Sequence, residues 1–112
     1  MRTLSNYIEA ELALATRAET RVEEFAYLER AHILGQYSTW SHVNVHVQML
    51  KWAWREKDVS EFVGQIVRIV GAATKTAIGL VPRGNTGGAN VSAFKPMPIP
   101  DDLAAILARY SR

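Results

Sequence analysis

Apolar residues return at intervals of three and four along five successive segments, and no stretch alternates with the period of two that a strand requires. That regularity confines the chain to an all-α fold. The segments run from Leu4 to Arg17, from about Thr20 to Gly35, from Thr39 or Ser41 to near Lys57, from Asp58 to about Ile78, and from Asp101 to Tyr110. Thr20-x-x-Glu23 and Asp58-x-x-Glu61 have capping-box spacing, and Gly35 supplies a stop. Short connections between the first four segments predict an antiparallel helical bundle of four main helices plus a C-terminal fifth.

At 112 residues, 48% hydrophobic and 21% charged, the chain is expected to be one helical domain over residues 1–112 that buries a core without staples. Cysteine is absent, which excludes disulfides, thiolate zinc sites and thiol nucleophiles. Residues 1–50 carry six acids against four bases, whereas Phe62 to Pro100 holds no acid at all. The net charge of +2 is mild, and no basic helix with interleaved aromatics argues for nucleic acid. The most apolar stretch, Val59–Val81, is broken by Glu61, Gln65, Arg68 and Lys75, so no membrane span is expected. With no apolar leader after Met1, the expected location is cytoplasmic.

The histidines break the pattern. On the second segment Val22, Phe25, Ala26, Leu28 and Ile33 mark the buried side, and Glu23, Glu24, Tyr27 and Arg30 face away. Glu29 and His32 fall inside the apolar arc. On the third, Asn44, Gln48, Lys51 and Arg55 share one face, opposite His42, His46, Met49 and Ala53. A hairpin through residues 35–38 then brings His32 level with His42 and Glu29 level with His46, in two layers about 5 Å apart. Buried polar groups without partners cost roughly 1–3 kcal/mol each, so this convergence points to a site.

The fourth segment carries a narrow polar stripe of Glu61, Gln65, Arg68, Ala72 and Lys75, with Phe62, Val63, Ile66, Val67, Ile69, Val70 and Ala73 around it. Such a helix is deeply buried or lies at a subunit interface. Residues 82–100 form a Gly/Pro-rich strap, long for a structureless connection and therefore expected to be ordered and functional. Phe94, Met97 and Ile99 are its apolar anchors. Its glycine-rich half is expected to fold over the end of the bundle that holds the histidines, with Asn85 and Asn90 as turn formers and Gly87 and Gly88 supplying positive φ or close approach. Arg83, Asn85, Gly87, Gly88, Asn90, Ser92 and Lys95 could also cradle an anion, although the P-loop spacing is missing. Trp52, a little off the buried centre, is the expected partner contact.

Glu29-Arg30-Ala31-His32-Ile33-Leu34-Gly35-Gln36, then His42-x-x-x-His46, then Gly84-Asn85-Thr86-Gly87-Gly88-Ala89-Asn90-Val91-Ser92-Ala93-Phe94 and Pro96-Met97-Pro98-Ile99-Pro100, resembles a small bacterial family catalogued as a domain of unknown function. The resemblance covers most of the chain and implies that Glu29, His32, His42, His46 and the strap belong to the family signature. It also implies a link to metal homeostasis, through neighbouring heavy-metal resistance and cation-export genes. The hairpin Leu4–Gly35 is similar to a tetratricopeptide unit, with Ala13, Phe25, Leu28 and Ala31 in packing roles.

Three readings of the His/Glu cluster stay open. His42-x-x-x-His46 suits zinc or another divalent transition metal, with Glu29 and His32 as further ligands. Glu29-x-x-His32 occurs once, which argues against a di-metal carboxylate centre. The second reading is a buried network with no ion, in a helical module that binds a second copy of itself or another protein. The third is general acid–base chemistry by a Glu-paired histidine. An accessory binding protein is favoured over an enzyme.

Overall fold

The computed structural model describes residues 3–77, 85–89 and 96–110. Its helices are α1 (Leu4–Arg17), α2 (Arg21–Gly35), α3 (Thr39–Glu56), α4 (Val59–Ala77) and α5 (Asp101–Tyr110). Among the described residues there is no strand. No helix among them is long and apolar enough to cross a membrane.

Local chemistry sets the helix ends. Thr3 and Asn6 form a reciprocal capping box at the start of α1. Thr20 Oγ1 accepts from the Glu23 amide at 3.0 Å, and Asp58 Oδ1 accepts from the Glu61 amide at 2.9 Å. At the end of α3, Lys57 takes a left-handed conformation with φ of 59°, and its amide closes back on Ala53 and Trp54. The two-residue turn that follows reverses the chain directly into α4.

Two helical hairpins, α1/α2 and α3/α4, pack through α2 and α3 as a bundle, and α5 lies against α1 and α2. The core between them comprises Ile8, Ala15, Leu28, Ala31, Ile33, Leu34, Val45, Met49, Trp52, Ala53 and Leu103. Arg30 ties three helices together. Its guanidinium donates to Glu11 on α1 at 2.8 Å and to Asp102 on α5. The paired guanidinium holds the Asp102 carboxyl below its ordinary range.

Several sequence expectations need correction. Arg30 and Tyr27 face α1 and the core rather than solvent. Val22 is 72% exposed, and Ala26 is exposed too. The reason is the position of α5 and α1, which cover the Arg30 side of α2 and shift its buried arc. Trp52 lies within the core, its indole N–H donating to the Arg21 carbonyl at 3.0 Å and its ring 4.5 Å from Phe25. The exposed tryptophans are Trp40 and Trp54.

The larger correction is α4. Its polar stripe points inward, with Glu61 nearly buried and Gln65 and Ala72 fully buried. Val59, Val63, Ile66, Val67 and Val70 face out. Hydrophobicity alone predicts the reverse, and the reason lies in what Glu61 and Gln65 bind.

Leu103 is the apolar anchor of α5 and is completely buried. Leu103→Ala is expected to cost about 2–4 kcal/mol, read as a lower urea midpoint. A midpoint shift corresponding to less than about 0.5 kcal/mol would show that α5 is not part of the cooperative unit.

Candidate metal centre

His32 sits in the last turn of α2, and His42 and His46 lie one turn apart near the start of α3. The three are 1–2% exposed. Their ring centroids form a near-equilateral triangle, with 4.8 Å between His32 and His42, 4.7 Å between His32 and His46, and 4.9 Å between His42 and His46. His32 therefore lies between the two α3 histidines, in one triangular layer rather than in the two stacked layers that ideal hairpin geometry predicts. Among the described residues, His32, His42 and His46 each offer a ligand atom within 4.8 Å of the others.

The hydrogen bonds decide which nitrogen faces inward. His32 Nδ1 is 2.7 Å from the Asn85 carbonyl oxygen. A carbonyl only accepts, so Nδ1 carries the proton and the Nε2 of the neutral ring keeps its lone pair. His46 Nδ1 is 2.6 Å from Gln65 Oε1. The amide orientation of Gln65 is fixed by its other contacts, since Nε2 donates to Glu61 Oε2 at 2.5 Å and to the Gly87 carbonyl at 3.0 Å. His46 thus donates from Nδ1 and also presents Nε2. His42 completes the set with its Nε2 3.0 Å from that of His32. In the neutral pair the His32 nitrogen holds a lone pair there, so the proton between them belongs to His42.

Glu61 and Gln65 are the site residues that sequence reading missed. A usable signal was present: both interrupt an otherwise aliphatic helix one turn apart, like the histidines of α3. In a capping box the Glu61 side chain would turn back to the helix start. Here its Oε2 instead accepts from the Ala89 amide at 2.9 Å and from Gln65.

Residues 85–89 of the strap lie over the triangle. Asn85 is buried, and its Oδ1 accepts from the Gly87 amide at 2.9 Å, closing an Asx turn. Gly87 has φ of 84°, and a Cβ there would stand 2.4 Å from the His32 ring. Ala89 approaches α4 closely enough that a Cβ on Gly64 would meet its methyl at 2.2 Å. Gly88 is buried, and Ile99 packs against the core from the proline half. Arg83, Asn90, Ser92, Phe94 and Lys95 lie outside the described residues. Where an anion cradle would use free amides, Gly87 and Ala89 already give theirs to Asn85 and Glu61.

Glu29 stands outside the histidine triangle, half-buried on α2. Burial pushes its carboxyl above the ordinary value of 4.5, and the charge of Glu61 pushes it further the same way. The folded protein therefore holds this proton more tightly than the unfolded chain does. Stability falls as pH rises from 4.5 through the folded value. In the metal-free protein, Glu29→Gln is expected to leave the melting temperature unchanged at pH 3.5 and raise it at pH 7. Equal curves at both pH values would remove that account. Gly87→Ala is expected to cost about 2–4 kcal/mol through the left-handed backbone and the ring overlap, and to displace the His32 imidazole resonances in NMR spectra.

The family model described as a protein of unknown function, DUF3703, matches residues 2–107. No curated protein and no solved structure matches the chain. The inward trio on α2 and α3, with a glycine strap across it, is thus the centre of a domain that the family model spans nearly end to end: the chain belongs to the DUF3703 family.

Proposed function

We propose that this protein binds one divalent transition-metal ion through His32, His42 and His46, and serves as an accessory protein of metal homeostasis. The observation that carries the reading is the oxygen acceptor that faces Nδ1 of two of the rings. Two of the three imidazoles donate Nδ1–H to fixed oxygen acceptors, Asn85 O and Gln65 Oε1, leaving Nε2 for the interior. This is the outer-shell arrangement that orients histidines on metals.

The distances support the same reading. Tetrahedral ligands at metal–nitrogen bonds of 2.0–2.1 Å stand about 3.3 Å apart. His32 and His42 nitrogens are 3.0 Å apart, and the whole donor set lies within 4.8 Å. Insertion of an ion needs ring movements on the order of 1 Å. The His42 proton must leave its Nε2 as the ion enters, so binding releases or relocates a proton. Three imidazoles leave a fourth position open to water or to Glu29, the carboxylate one helical turn before His32. Glu61 adds a negative charge two hydrogen bonds from the ion, through Gln65 and His46.

Imidazole without thiolate favours zinc, nickel or cobalt over thiophilic ions. The burial of all three rings supports holding or delivering an ion in preference to rapid turnover of a substrate.

Calorimetric titration of metal-free protein with Zn²⁺ should give one site per chain, weakening as pH falls because protons compete for the rings. His42→Ala/His46→Ala should abolish saturable binding, and Gln65→Ala should weaken it about 10–100-fold. Binding by neither protein, or equal binding by wild type and double variant, would overturn the proposal and favour a metal-free structural network.

A further inference from the structure

The outward face of α4 has the spacing of a helix-pairing seam. Val59, Val63, Ile66, Val70 and Ala73 follow one another at intervals of four, three, four and three. That mean interval of 3.5 is the heptad repeat by which two helices pack side by side. All five are exposed, the four larger ones at 73%, 54%, 46% and 68%. Val67, at 65% exposed, borders the seam, and Ser60 borders it on the same side. No exposed residue of α4 between Val59 and Ala73 carries a charge, because Glu61 and Arg68 lie on other faces.

Nothing within the described residues fills this seam. Within the chain α4 packs chiefly on α3, through the opposite face. Beyond its N-terminal end the apolar surface continues into a groove of about 410 Å³ between Ala53, Trp54, Lys57, Asp58, Val59 and Phe62. Trp54 stands 74% exposed at its rim. Val59, Val63, Ile66, Val67, Val70 and Trp54, each 46–74% exposed, together offer on the order of 700 Å² of surface, against about 800 Å² per partner in a standard interface. A soluble monomer seldom leaves a contiguous apolar patch larger than roughly 600 Å².

We infer that α4 pairs with α4 of a second copy of this chain, giving a two-fold symmetric dimer. Two features select a second copy over an unrelated partner. A heptad seam is complementary to itself, so the same residues meet across a two-fold axis. The flanking positions hold Ser60, Phe62, Val67 and Ile69, with no like charges to repel an identical helix. The inference does not depend on metal, since the seam faces away from Gln65 and the histidines.

Sedimentation equilibrium of the full chain in EDTA tests it. The expected mass is about 25 kDa, twice the 12.5 kDa of one chain. Val63→Glu/Val70→Glu should give a folded monomer, with unchanged helical circular dichroism and undiminished zinc stoichiometry. Val63→Ser/Val70→Ser, a milder pair, should raise the dimer dissociation constant at least tenfold and remains readable if the glutamates prevent folding. A wild-type protein that stays monomeric at 100 µM overturns the inference. So does a dimer whose dissociation constant the serine pair leaves unchanged, which would place the contact elsewhere.

Discussion

The side chain of Gln65 joins α3, α4 and the strap through three hydrogen bonds. It is fully buried, accepts from His46 on α3, and donates both to Glu61 one turn earlier and to the Gly87 carbonyl in the strap. An amide suits this place because it is acceptor and donor at once. A carboxylate could not donate to Gly87, and an aliphatic residue would leave the buried His46 Nδ1–H and Gly87 carbonyl without these partners. Such losses cost about 1–3 kcal/mol each. The register of α4 on α3 follows from this requirement, and so does the path of residues 85–89.

That requirement also explains the inversion of α4. Burying aliphatic residues contributes about 25 cal/mol per Å² of apolar surface, yet the valines of α4 stay outside. The polar stripe wins the inner face because its groups are bonded there and the strap amides need them. Glu61 answers the Ala89 amide, Gln65 answers His46 and Gly87, and close approach at Gly64 lets Ala89 reach them. A helix can thus turn its more hydrophobic side to the surface when the other side satisfies a neighbouring loop.

Much of this was open to inspection in the sequence. The five helices are legible because each repeats its apolar residues with a helical period over ten or more positions, and because caps at Thr20 and Asp58 mark two starts. The convergence of His32, His42 and His46 is legible because all three fall in apolar arcs beside one short turn. The face of α4 was not, since the period of one helix carries no information about partners 19 and 22 residues away along the chain. Trp52 and Val22 were misread for a related reason: the boundary of a buried arc depends on which neighbours arrive, and α1 and α5 arrive on the Arg30 side. Glu29 lies one helical turn before His32, but the histidine rings close among themselves and leave its carboxyl beside the charge of Glu61.

The 3.0 Å contact between the ring nitrogens of His32 and His42 has a wider consequence. Two lone pairs cannot face each other at that separation, so something positive must always stand between them. In the metal-free protein it is the partial charge of a single N–H. An ion bound as proposed and this hydrogen are mutually exclusive occupants of the space among the rings. On that proposal the ion takes the place of the hydrogen, so the hydrogen bond between His32 and His42 marks where it would enter.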